Sequence, residues 1–364
     1  SGSTRGVAGP DRRLGRPRVA PRWACGLLLA ACACSPAGPG PAVHEFDGAT
    51  MGTTWAVRVV TADAWPQAEH DRVGAEMQAA LDDVESRMSH YDPSSELSRF
   101  NRERTTRPFP VSADTFEVFR QARRLSELTA GALDVTVAPL VNAWGFGPVE
   151  PDLFPPDAGR VSRAREHVGY AGVELDAEAS TLRKADPAIE ADLSAVAKGY
   201  GVDRVAAALR GAGFRRYLVE VGGEIVAAGT NHLDRPWRIG IESPTAAGGI
   251  QRVVPLRDRA MATSGDYRNR REVEGGWVSH TIDPRTGRPV EHRLASVSVI
   301  ADRCVVADGL ATALEVLGPD DGYALAVERG WAALFLVRGE DGAIAERATP
   351  SFSAVLASSP PVER

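Results

Sequence analysis

At 364 residues, 43% of them hydrophobic, the chain is long enough to bury a large core. Its formal charge of −6 is uneven: residues 1–31 hold six arginines and one aspartate, so the rest carries −11, too acidic for a general nucleic-acid binder. Of four cysteines only Cys304 lies beyond residue 34, which excludes a disulfide framework in the body and leaves no Cys/His spacing for a zinc site.

The arginines at the start precede an apolar run, Trp23 to Ala31, too short to span a bilayer as a mature helix. Residues 1–31 therefore read as a secretory leader. The run closes on Leu29-Ala30-Ala31-Cys32, which resembles the bacterial lipobox. That resemblance implies export, lipid attachment at Cys32 and a membrane-anchored position on the periplasmic side of the inner membrane. A disordered Ala/Pro/Gly-rich end is the other reading. Residues 32–42 are expected to tether a body spanning 43–350, with 351–364 as a flexible tail.

Within the body, His44 to Thr50 and Trp55 to Thr61 are expected as strands around Met51-Gly52-Thr53. A helix follows, with Val73, Met77, Leu81, Val84 and Met88 recurring as one apolar stripe. Tyr91 opens a polar turn leading through Ser95-Glu96-Leu97-Ser98-Arg99-Phe100-Asn101 into a short helix. A second long helix, about Ala113 to Thr129, buries Phe116, Phe119, Leu125 and Leu128 and stops at Gly131. Beyond Ala132-Leu133-Asp134 come Trp144, Gly145, Phe146 and Gly147. The glycines let backbone approach a flat ligand, and the aromatics either flank that ligand or serve packing. A proline-rich loop and a helix from Arg160 to His167 follow.

Ile189 to Leu193 reads as the end of a strand turning into a helix that runs to about Arg210, with Ser194 as N-cap. A turn there would aim Asp192 and Lys198 at one ligand. An anionic phosphate would find N–H donors and a helix dipole, a metal would find oxygens, and an ordinary strand-to-helix connection also fits. Lys198 is one of only two lysines, with Lys184, in an arginine-rich chain, which suggests a site shaped for an ammonium. Strands then dominate: Arg216 to Val221, Glu224 to Ala228, Trp237 to Glu242, Val253 to Arg257 and Ala260 to Thr263. That grouping argues for an α+β fold without the alternation of a doubly wound sheet. His280 and Asp283, three apart, form either a chemical pair or a hydrogen-bonded Asp-Pro turn. After a strand from Ser296 to Ala301, a helix from Cys304 to Leu317 puts Asp308 and Thr312 on one face. Such oxygens suit Mg²⁺, and they also make an ordinary polar face.

Taken in order, several stretches together resemble the motifs of the ApbE family over about Phe46 to Val337. They are Met51-Gly52-Thr53, Ser95 to Asn101, Gly131 to Asp134, Asp192-Leu193-Ser194 with Lys198-Gly199-Tyr200, and Val221-Gly222-Gly223. The series continues with Thr263-Ser264-Gly265-Asp266-Tyr267, His280 with Ile282-Asp283-Pro284, and Asp308 with Thr312. Members are Mg²⁺-dependent FAD:protein FMN transferases. The resemblance implies mixed or antiparallel sheets with helices around them and a flavin site between the halves. It implies that Met51, Tyr91, Ala132, Leu133, Asp134, Asp192, Lys198 and Ile282 hold FAD, and that Asp308 and Thr312 bind Mg²⁺ through their side chains. Ala195 matches the third metal position, where some members have threonine; alanine offers only its carbonyl. His280 matches a histidine near the pyrophosphate.

The implied reaction moves FMN from FAD to a threonine hydroxyl of an acceptor flavoprotein and releases AMP. Such a transfer asks the protein mainly to neutralise phosphate charge and to position the nucleophile. His280 or Asp283 would accept the hydroxyl proton, with His280 favoured because its ordinary pKa lies nearer neutrality. By resemblance, the acceptors are subunits of Na⁺-translocating NADH:quinone reductase or Rnf-type electron-transport complexes. Two other readings use the same residues: an FAD pyrophosphatase giving FMN and AMP, and a flavin-binding lipoprotein without catalysis.

Overall fold

The structure, a computed structural model, describes residues 40–148, 154–245, 248–265, 270–273 and 276–358. The leader, Cys32, most of the tether, Asp266, Tyr267 and residues 359–364 lie outside the described residues. Eight antiparallel strands form the main sheet, and their spatial order is their chain order. They are Ala42–Thr50, Thr53–Thr61, Tyr217–Val221, Glu224–Ala228, Arg259–Gly265, Leu294–Ala301, Ala332–Arg338 and Ile344–Ala348. The first hairpin turns at Met51-Gly52, both with positive φ (47° and 71°), as a tight two-residue turn requires. Glycine adopts that backbone freely, but methionine is strained there. The Met51 N–H donates to the Glu85 carboxylate at 2.9 Å, which helps hold it.

The helices are α1 (Gln67–Met88), α2 (Glu96–Arg102), α3 (Ala113–Leu128), α4 (Ala138–Ala143), α5 (Ala158–Arg165), α6 (Ser194–Gly211), α7 (Cys304–Glu328) and α8 (Pro350–Ala357). α1 buries Val73, Met77, Leu81, Val84 and Met88, the stripe its spacing predicts. α6 and α7 pack on one face of the sheet, locked together at two points. Asp203 of α6 accepts the Cys304 and Val305 N–H groups at 2.8 and 3.2 Å, capping α7 from a neighbouring helix. One turn earlier Gly199 lies so close to α7 that a Cβ would sit 2.5 Å from the Cys304 carbonyl oxygen. The sheet's other face meets a two-stranded sheet, Trp237–Glu242 with Ile250–Leu256. Thus Phe335 faces the helices while Leu334 and Leu336 face Trp237 and Ile239. Burial on both faces explains why Leu294–Ala301 reads as a continuous buried run instead of alternating.

Three expectations need correction. Residues 351–358 are not a flexible tail: Thr349 caps α8, and Phe352 is fully buried against the sheet. Ile189 to Leu193 is not a strand. Its backbone is paired by a side chain instead: the Asn101 amide donates to Ala191 O and accepts from Ala191 N, each at 2.8 Å. The next N–H, that of Asp192, donates to Val135 O at 2.7 Å. Finally, Ser194 is not the cap of α6; Asp192 Oδ1 accepts the Ser194 N–H at 2.8 Å and does that work. α7 does lose its helical geometry where expected, at Gly318 (φ 81°) before Pro319, although helix resumes beyond. No helix among the described residues is long and apolar enough to cross a membrane.

Candidate active site

A cavity of about 1030 Å³, at the upper end of the range for small-molecule sites, opens beside the start of α6. The Met51 hairpin, the loop before α4, the Gly222-Gly223 turn, the segment through His280 and the first turns of α7 complete its walls. Met51, Tyr91, Ala132, Leu133, Asp134, Asp192, Ala195, Lys198, His280, Ile282, Asp308 and Thr312 all line it. Residues up to 261 positions apart in sequence therefore meet in one chamber, and the motif around Asn101 contributes by clamping the segment that carries Asp192.

At one end, Asp192 pairs with His90, whose Nδ1 lies 3.2 Å from Asp192 Oδ1. Burial alone would raise the Asp192 pKa and lower that of His90. The hydrogen bond and mutual attraction win, so Asp192 is lowered and His90 raised, stabilising the charged pair. The His90 ring lies 4.1 Å from that of Tyr91, which is 64% exposed at the rim and available to a planar ligand. The side chain of Asp134 is fully committed. Its carboxylate accepts from the Thr136 N–H and hydroxyl and from the Tyr170 N–H, at 2.6–2.8 Å. Asp134 can therefore offer a ligand mainly backbone. The two aromatics beyond it divide: Phe146 lines the cavity, whereas Trp144 donates its indole N–H to Gly287 O at 2.9 Å and is structural.

At the other end, Asp308 is buried and its Oδ2 accepts the Gly199 N–H at 2.9 Å. Thr312 lies one turn along the same helix, and Ala195 lies across the gap at the start of α6. Lys198 reaches Glu224, with Nζ 2.7 Å from Oε1. Burial pushes the Asp308 carboxyl above its usual range against the opposing charge of Lys198. Burial likewise pushes Glu224 up to about 8, Lys198 opposing and Asp308 adding to the shift. The Lys198 ammonium is raised because Asp308 and Glu224 together outweigh its desolvation. Two desolvated carboxylates thus share one ammonium, and Glu224 Oε2 has no hydrogen-bond partner. Hard oxygens, two buried carboxyls whose charged forms a cation would favour, and an orphaned carboxylate oxygen are a chemistry that fits a small divalent cation.

His280 lines the cavity beside Phe146, ring centroids 6.4 Å apart. Asp283 does not line it. Its carboxylate is held by the Arg285 guanidinium through two contacts of 2.9 Å, and its carbonyl accepts the Gly287 N–H at 2.8 Å. The expectation of a proton-accepting role for Asp283 is therefore corrected: the residue builds the turn that carries Ile282. Sequence reasoning missed Glu224 and His90. The first follows directly on Val221-Gly222-Gly223 and the second precedes Tyr91, so adjacency to a glycine turn and to an aromatic was the available signal.

The profile of the ApbE family matches residues 51–335. A Vibrio cholerae protein named FAD:protein FMN transferase is 44% identical over 333 residues, 91% of this chain and 96% of that protein. A Haemophilus influenzae protein of the same name is 41% identical over 324 residues, covering 88% and 92% respectively. Among solved structures, the apo Pseudomonas stutzeri flavinyl transferase ApbE superposes with a TM-score of 0.80 at 38% identity, covering 88% of this chain and 98% of that one. The Vibrio cholerae flavin transferase ApbE gives 0.78 at 40% identity, covering 86% and 99%. With the family profile matched over most of the chain, and relatives 38–44% identical over nearly their whole length, the chain belongs to the ApbE family.

Proposed function

We propose that the protein is an FAD:protein FMN transferase that moves FMN from FAD to a threonine hydroxyl of an acceptor flavoprotein and releases AMP. The observation that supports this reading most is the convergence of Lys198, Asp308, Thr312 and His280, from three separated stretches of chain, on one cavity. Met51, Tyr91, Ala132, Leu133, Ile282 and the backbone of Asp134 would hold FAD, with Asp192 and His90 fixing its position. Lys198 would bind a pyrophosphate oxygen. Mg²⁺, held by Asp308, Thr312 and the Ala195 carbonyl, would supply charge neutralisation at the pyrophosphate. His280 would take the proton from the threonine hydroxyl as its oxygen bonds to the FMN phosphorus and the bond to the AMP phosphate breaks. Subunits of Na⁺-translocating NADH:quinone reductase or Rnf-type complexes are the proposed acceptors.

Incubating such a subunit with the protein, FAD and Mg²⁺ should raise its intact mass by one FMN phosphodiester, with AMP formed in equal amount. FMN and AMP released with the acceptor unchanged would replace this reading with a pyrophosphatase. Unchanged FAD would leave only a flavin binder.

We also propose, from Leu29-Ala30-Ala31-Cys32, that the protein is an exported lipoprotein anchored at the periplasmic side of the inner membrane. Cys32→Ser should move it from the membrane fraction to the soluble one. Recovery of the unaltered protein in the cytosol would refute the proposal.

A further inference from the structure

The Gly222-Gly223 turn, with φ of 60° and 104°, delivers Glu224 as the first residue of its strand. Glycine is needed at 222, where the backbone is left-handed and a Cβ would stand 2.9 Å from the Thr53 side chain. The turn brings Glu224 against α6, where it is 2% exposed yet lines the cavity. Oε1 meets the Lys198 ammonium at 2.7 Å, while Oε2 is buried with no hydrogen-bond partner. A carboxylate oxygen desolvated in this way is unfavourable unless a donor or a cation meets it. Lys198 does not cover the deficit, because the buried Asp308 also draws on it.

We propose that Glu224 is a further acidic residue of the cation site, presenting Oε2 to the Mg²⁺ or to a water that the ion carries. The inference rests on the Mg²⁺ reading above. Mg²⁺ is commonly bound through one or two carboxylates with waters completing its shell, so a second carboxylate beside Asp308 is within its ordinary chemistry. The same residue holds Lys198, so one side chain would set the relative positions of the ammonium and the metal.

The test is calorimetric titration of Mg²⁺ into full-length protein saturated with FAD, without acceptor. Glu224→Gln, which keeps the shape and loses the charge, should weaken Mg²⁺ binding at least about tenfold. Lys198→Met, which removes a cation that repels the metal, should leave Mg²⁺ binding equal or tighter. A role confined to holding Lys198 predicts instead that Glu224→Gln behaves like Lys198→Met, and that result overturns the inference. Wild-type Mg²⁺ affinity in Glu224→Gln, with binding lost in Asp308→Asn, also overturns it while leaving the Mg²⁺ reading intact. Wild-type affinity in both variants, or no binding by the wild type, removes the Mg²⁺ reading itself. Should Glu224→Gln fail to fold by circular dichroism, Glu224→Asp decides: its retracted carboxylate should weaken binding, and unchanged affinity refutes the proposal.

Discussion

Asp308→Asn is expected to lower FMN transfer by about 10³-fold at limiting Mg²⁺ while leaving the fold intact. The two consequences separate because the carboxylate has two jobs. Its Oδ2 accepts the Gly199 N–H at 2.9 Å, which an asparagine carbonyl oxygen can do as well. What asparagine cannot supply is the negative charge with which Asp308 would draw a divalent ion to the proposed site. Removing one electrostatic contact of a developing transition state typically lowers rates by about 10²–10³, and here the whole charge of a side chain is lost. Thr312→Val should cost about tenfold, since water can replace a neutral ligand, and excess Mg²⁺ should rescue it better than the asparagine variant. Transfer rates across a Mg²⁺ series, with thermal melts of each variant, check the order. If Asp308→Asn transfers FMN at the wild-type rate in chelator-treated buffer, the metal is not held at this helix.

Lys198→Met is expected to weaken FAD binding about 100-fold and to leave riboflavin binding nearly unchanged. A unit charge about 4 Å from a phosphate oxygen interacts by roughly 4 kcal/mol at an effective dielectric of about 20, so losing it is worth orders of magnitude. Riboflavin has no phosphate and is the internal control. The fold should tolerate the change, because methionine is close in length and volume to the lysine stem that it replaces. Lys198→Arg should recover only part of the affinity. The wide planar guanidinium would have to replace a compact ammonium whose Nζ sits 2.7 Å from the buried Glu224 carboxylate. Fluorescence titration with FAD and riboflavin reads both outcomes. Full FAD affinity in the arginine variant would mean that only the charge at this position matters.

The helices and strands were largely legible because each buries one face on a regular period. The α1 stripe, the strands Glu224–Ala228 and Trp237–Glu242, and the end of regular helix before Gly318 all coincide with their sequence patterns. Where a pattern was short and polar, it misled. Ile189 to Leu193 has a strand's composition, but the partner for its backbone is the Asn101 side chain, 90 residues away. The apolar spacing of Phe352, Val355 and Leu356 was hidden in a segment read as a tail.

The site divides in the same way. Residue types and their order sufficed for the family, and twelve of the thirteen residues they singled out line one cavity. Local sequence could not say what each side chain already holds. Asp283 and Asp134 look like free carboxylates in the sequence, yet one is held by Arg285 and the other by Thr136 and Tyr170. Glu224 looks like an ordinary strand residue, yet it meets Lys198 deep in the cavity. A carboxylate's availability depends on its burial and on the donors within about 3 Å, and those donors arrive from distant segments only when the chain is folded.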